Sequence, residues 1–234
     1  MGTAERKERE KIQRKEDILD AAEKVFFEKG LGLATMDEIA EKAELSKGTL
    51  YLYYKSKEDL YMAIICRGHE ILLKMFEEAA ATGEPTTKLF QNIGEAYYTF
   101  YKRHHDYFRM FSFSENTQLH SQVSEEMRSA CAESGQCIGD LVVGVIKKGQ
   151  EDGTFRPEVN PREMAVIFWA NSWGVMKIID HFSSIPANEM RGECGQIDFE
   201  KMYRKSGALL LYAILTEEAK KNYQPEFQLT GKLN

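Results

Sequence analysis

The stretch Thr35–Tyr61 reads TMDEIAEKAELSKGTLYLYYKSKEDLY, and the order of its residues decides the fold. Thr35 and Glu38 stand three apart, the spacing of a capping box, in which a threonine oxygen and a glutamate carboxylate satisfy free N–H groups at a helix start. A short helix is expected there, stopping near Ala43. After Glu44 and Leu45 comes Ser46, a second capping residue, which opens another short helix through about Tyr54. Ser56 caps a third time and starts a long helix reaching about Ala81. Two short helices joined by a tight turn and followed by a long one form a helix-turn-helix.

Working outward, the same stretch packs four tyrosines and three lysines around one glycine between Leu45 and Tyr61, which is not how a core helix is written. A recognition helix presents its N-terminal residues to the DNA major groove. Lys47 can reach guanine or phosphate oxygens there, Gly48 lets the backbone approach the DNA, and Thr49 offers a hydroxyl and a methyl. At helical spacing Leu50 and Tyr54 share a face and pack inward, which turns Tyr51 and Tyr53 towards the flanking phosphates. Thr35 and Lys57 sit at two helix starts, where free N–H groups favour an anion. Taken singly, each tyrosine reads more readily as core and each lysine as a solvated helix start. The ordered combination is what points to double-stranded DNA.

Ahead of this motif a helix is expected from about Lys11 to Lys29, with Ile12, Ile18, Leu19, Ala22, Val25 and Phe26 on one face and Gly30 closing it. From roughly Lys11 to Tyr61 the chain resembles the DNA-binding segment of the tetracycline-repressor (TetR) family of bacterial transcription regulators. Carried across by position, the family's base-facing residues fall on Lys47, Gly48 and Thr49, and its phosphate contacts on Thr35, Tyr51, Tyr53 and Lys57. Glu44 departs from the common glycine of the turn, and Leu52 from a frequent tyrosine or histidine. By periodicity the whole chain reads helical, with no stretch alternating long enough for a strand, so the fold class is all-α. The resemblance implies a DNA-binding domain at residues 1–57 and a helical ligand-binding and dimerisation domain at 58–234. It also makes repression the expected sign of regulation, relieved by a small-molecule effector at a palindromic operator.

Later segments support part of this on their own. TTKLFQNIGEAYYTFYKRHH (86–105) places Phe90, Ile93, Tyr97 and Phe100 or Tyr101 along one face, and CIGDLVVGVIKKGQEDG (137–153) does so with Ile138, Leu141, Val142, Val145 and Ile146. EMAVIFWANSWGVMKIIDHF (163–182) and GALLLYAIL (207–215) are apolar nearly all the way round, so they need cover on more than one side. A second copy of the chain supplies that cover most simply, giving a two-fold homodimer. Aromatic residues crowd the middle, and a subset of Phe90, Tyr97, Tyr101, Phe108, Phe111, Phe168, Trp169 and Trp173 would suit an apolar or amphipathic effector.

Composition bounds the rest. The chain has 234 residues, is 43% hydrophobic and carries a net charge of −6, yet up to Lys15 six basic residues face three acids. Its first residues, MGTAERKERE, have no apolar stretch behind them, and no apolar run approaches the ~20 residues of a membrane span. No signal peptide and no membrane association are expected, and the cytoplasm is the expected compartment. Cys66, Cys131, Cys137 and Cys194 show no metal-binding spacing, and Cys131 and Cys137 would be turned about 120° apart on a helix. They read as buried or idle thiols, and no metal or cofactor is expected. RHHD at Arg103–Asp106 lacks a partner nucleophile, so no catalytic residue is expected either. The alternative is a DNA-binding regulator governed by cysteine redox state or by a protein partner.

Overall fold

The structure, a computed structural model, describes residues 3–114, 117–185 and 197–224. Among these residues the chain forms helices α1 (Thr3–Leu33), α2 (Met36–Lys42), α3 (Lys47–Tyr51), α4 (Lys57–Ala80), α5 (Thr86–Arg103) and α6 (His105–Ser114). Then follow α7 (Thr117–Gln122), α8 (Glu125–Glu151), α9 (Pro161–Ser183), α10 (Phe199–Ile214) and α11 (Glu217–Asn222). No strand forms among the described residues, and the single β-bridge joins Phe155 to Leu215. None of the described helices is long and apolar enough to cross a membrane.

The chain divides into two compact units, residues 1–71 with 104–136, and 72–103 with 137–234. The boundary expected after residue 57 falls inside the first of these. In that unit Ile18, Ala22, Val25 and Phe26 of α1 are buried, as are Ile39 of α2, Leu50 of α3, and Leu60 and Ile64 of α4. These are the positions that helical spacing selects. Ile12 is a correction, since Ala4–Asp17 is exposed throughout and Ile12 with it. The helix also starts well before Lys11, at Thr3, and is broken at Gly30, whose left-handed backbone (φ 69°) ends the regular run.

Polar contacts then fix α1 against α4 and α6. The Arg67 guanidinium donates to Glu16 (2.5 Å), Asp20 (2.7 Å) and Glu23 (3.0 Å) of α1, and the Tyr107 hydroxyl donates to Glu23 (2.6 Å). Three carboxylates on one half-buried guanidinium orient α4 against α1 more firmly than isolated surface pairs would. Buried Asp59 near the start of α4 accepts from the Ser124 N–H at the head of α8 (2.8 Å), so a fixed acceptor satisfies a helix-start donor.

In the second unit α5, α9 and α10 pack on one another. Phe90 of α5 meets Phe168 of α9 edge-on with ring centres 4.3 Å apart, and Tyr98 stacks on Tyr203 of α10 at 4.8 Å. Tyr203 also donates to the Gly94 carbonyl (2.9 Å). Phe155 lies against Gly149, where no side chain could fit, and holds the segment after α8 to the end of α10 through the 215 bridge. α10 is followed by the short polar helix α11, so the apolar 207–215 segment is not the chain's last helix.

Candidate nucleic-acid interface

The motif assembles from its caps. Thr35 Oγ1 accepts from the Glu38 N–H (3.2 Å) and a Glu38 carboxylate oxygen accepts from the Thr35 N–H (3.2 Å), so the capping box is complete. The turn that follows places Glu44 in the left-handed region (φ 55°), the position for which glycine is better suited. Leu45 N–H closes the turn onto the Ala40 carbonyl (2.9 Å). Ser46 Oγ then accepts from the Thr49 N–H (3.1 Å) and shares a 2.8 Å hydrogen bond with the Thr49 hydroxyl.

α3 is shorter than the expected run to Tyr54. It ends at Tyr51 because the Leu50 carbonyl takes both the Tyr53 and Tyr54 N–H groups (3.0 and 3.1 Å), tightening the chain into a turn before α4. Ser56 Oγ caps that helix by accepting from the Asp59 N–H (3.0 Å). Leu50 and Tyr54 are buried, and burial pushes the Tyr54 hydroxyl pKa up to about 12. With these two residues as inward anchors, Thr35, Lys47, Gly48 and Tyr51 are exposed, while Thr49, Tyr53 and Lys57 are half-buried. Gly48 has no positive φ, and a Cβ there would meet only Ser46 Oγ at 3.8 Å, so the fold itself does not require glycine at this position. Leu52, which caps the end of α3, is 84% exposed.

Charge adds what spacing does not reveal. Lys47 Nζ pairs with Asp37 of α2 at 2.6 Å, and the hydrogen bond to that carboxylate holds the ammonium above its ordinary pKa. Both partners are well exposed, so the pair is weak and exchangeable. Lys57 Nζ donates to the Leu31 carbonyl (2.9 Å) and the Ala34 carbonyl (3.0 Å), fastening the first residue of α4 to the end of α1. Sequence reasoning missed both partners. Lys47 and Asp37 are ten residues apart with a turn between them, a separation that no helical spacing rule covers.

The eight aromatic residues expected at an effector pocket are not brought together within either unit. Phe90, Tyr97, Tyr101 and Phe168 are buried in the second unit, where the Tyr101 hydroxyl donates to Asp180 (2.7 Å) and Trp173 is half-buried. Phe108 and Phe111 are buried in the first unit, beside Gly68 in the case of Phe111. Trp169 is 53% exposed on α9, 6.2 Å from the Trp173 ring, and faces outward from its own unit. Cys194 lies outside the described residues. No group of three His, Cys, Asp or Glu side chains among the described residues could hold a metal ion.

The sequence profile described as "Bacterial regulatory proteins, tetR family" matches residues 18–64, from the buried face of α1 through the capped helices into α4. The uncharacterised HTH-type transcriptional regulator YhgD of Bacillus subtilis is 30% identical over 149 residues, covering 62% of this chain and 74% of YhgD. This chain belongs to the TetR family. It is a DNA-binding transcriptional regulator. The transcriptional activator FasR of Mycolicibacterium smegmatis is 28% identical over 130 residues, 56% of this chain and 59% of FasR. Among solved structures, the transcriptional regulator FadR of Bacillus subtilis in complex with stearoyl-CoA shares the fold with a TM-score of 0.67, at 17% identity, covering 85% of this chain and 98% of FadR.

Proposed function

We propose that this TetR-family regulator is a homodimeric repressor that occupies a palindromic operator and leaves it when an apolar or amphipathic small molecule binds residues of the 58–234 segment. Residues 1–57 form its DNA-binding part, with Lys47, Gly48 and Thr49 facing bases and Thr35, Tyr51, Tyr53 and Lys57 facing phosphates. The observation that carries this reading is the exposed Lys47-Gly48 start of α3, held outward by buried Leu50 and Tyr54 and containing a glycine that the fold does not need. Repression follows from steric exclusion, because a dimer covering a promoter blocks polymerase without further contacts, whereas activation needs a surface that engages it.

Phe90, Tyr97, Tyr101, Phe168 and Trp173 supply apolar surface, and Asp180 beside Tyr101 supplies a polar anchor. FadR's complex makes a long-chain acyl-CoA the first probe to try. The experiment selects DNA from a random library with the purified protein, footprints the selected site, and titrates stearoyl-CoA into the complex. Two symmetric half-sites, blocked transcription in vitro and release on titration support the proposal. Transcription that rises on protein binding overturns the sign, and a footprint with no internal symmetry overturns the dimer.

A further inference from the structure

Away from the DNA-facing residues, α4 and α8 meet over a small polar patch inside the first unit. His69 Nδ1 lies 2.8 Å from Ser134 Oγ, and a Cβ on Gly135 would stand 3.5 Å from the His69 ring, so this one side chain of α4 fills the space against α8 at this turn. One turn earlier on each helix are Cys66 and Cys131, and the parallel register set by Asp59 on the Ser124 N–H (2.8 Å) and His69 on Ser134 (2.8 Å), each pair 65 residues apart, stands them opposite each other. Neither is in a disulfide, Cys66 is half-buried and Cys131 is buried. Cys137, on an exposed turn of α8, has no part in this arrangement. The pairing is therefore between helices, where sequence spacing could compare only Cys131 with Cys137.

The geometry points to a peroxide-responsive dithiol in which Cys66 attacks and Cys131 resolves, closing to a reversible disulfide between α4 and α8. The roles follow from the surroundings. Hydrogen bonds from the Cys131 thiol and the Ser134 hydroxyl pull the Cys66 thiol below its ordinary value against the effect of burial, and the same contact with Cys66, together with burial, pushes the Cys131 thiol up. Burial lowers the His69 pKa to about 4, leaving the ring neutral and suited to hold Ser134 in place. Cys66 is also the more accessible of the two.

In the first step the Cys66 thiolate attacks the O–O bond of a hydroperoxide, becomes the sulfenic acid and releases an alkoxide or hydroxide, which takes up a proton. In the second the Cys131 sulfur displaces hydroxide from that sulfenic acid, with its thiol proton leaving in water. Two thiols and one hydroperoxide thus give one disulfide, one alcohol or water, and a further water. With Cys66 and Cys131 opposite each other on adjacent helices, reaching an S–S bond of about 2.05 Å takes side-chain rotation and a small approach of the helices. In a reducing compartment such a bond is transient, as befits a sensor and not a structural brace.

The test uses the full chain carrying Cys137→Ser and Cys194→Ser, which leaves only the proposed pair, with circular dichroism confirming that each reduced variant is folded. One equivalent of hydrogen peroxide should remove both thiols together, give one peptide pair linked through Cys66 and Cys131, and be reversed by dithiothreitol. Adding Cys131→Ser should stop the reaction at a sulfenic acid on Cys66 that dimedone traps. Adding Cys66→Ser instead should slow thiol loss by about tenfold or more. Intermolecular disulfides as the main product, or thiol loss no faster than that of free glutathione, overturns the proposal. Neither DNA nor effector enters the assay, so its outcome is independent of the repressor reading.

Discussion

At the scale of single residues, the lysine proposed to face DNA is already engaged in the free protein. Asp37 holds Lys47 in a 2.6 Å ion pair, so under the proposed binding mode DNA would take the ammonium from a carboxylate. Asp37→Asn should therefore tighten DNA binding several-fold at low salt, and Lys47→Ala should weaken specific binding by roughly tenfold to a hundredfold. Fluorescence anisotropy against a selected site checks both, and unchanged affinity for Asp37→Asn would show that the pair imposes no cost. Lys57→Ala is a less clean probe, because it also releases the carbonyls of Leu31 and Ala34. A second titration concerns stability. His69 in the folded chain has its pKa lowered to about 4 by burial, from an ordinary 6.5. Between those values the unfolded chain holds a proton that the folded chain refuses. The contribution is complete above about pH 6.5 and is lost as pH falls towards 4, reaching about 3 kcal/mol if fully developed. Urea unfolding at pH 7 and pH 4.5 should show wild type losing about 2–3 kcal/mol more than His69→Gln. Equal losses would remove His69 as the source.

At the scale of elements, α3 separates what folding requires from what the proposed DNA contact requires. Gly48 lies at the head of α3 with open space around its missing side chain, so Gly48→Ala should raise stability by up to about 1 kcal/mol through helix propensity while weakening DNA binding. Glu44→Gly should stabilise by about 0.5–1 kcal/mol for the opposite reason, relieving a left-handed backbone, and leave DNA binding unchanged. Thermal unfolding paired with DNA titration distinguishes them, and a Gly48→Ala protein that binds DNA as wild type does would refute the close-approach role. These elements were legible because their caps are local: Thr35 with Glu38, Ser46 with Thr49 and Ser56 with Asp59 are all three residues apart. The extent of α3 was not, since its end depends on the Leu50 carbonyl taking two donors. Nor were Arg67 with Glu16, Asp20 and Glu23, or the register that sets Cys66 opposite Cys131, which arise only after helices distant in sequence have packed.

At the scale of the whole molecule, the apolar face of α9 is what one chain leaves unfinished. α9 buries Ala165, Phe168, Val175, Met176 and Ile179 within its unit, yet Val166, Ile167, Trp169 and Ile178 of the same helix are exposed, with Leu209 of α10 exposed as well. A helix apolar on two sides was readable from its sequence, and which side faces the core is what the packing adds. Trp169 thus belongs with the outward residues and not with Phe90 and Phe168. Scattered exposed apolar residues need no explanation, but four on one helix of a regulator whose family acts in dimers do. A second copy using the same face would bury them by two-fold symmetry, which also fits a palindromic DNA site. Val166→Glu with Trp169→Glu should leave the helical content unchanged, because both side chains lie outside the core, and convert the protein to a monomer at micromolar concentration. The monomer should bind a single half-site far more weakly than the dimer binds the full site, since the second recognition helix no longer gains from the effective concentration supplied by the first. Sedimentation velocity and titration of half-site and full-site DNA measure this. A double variant that remains dimeric would move the interface off this face of α9.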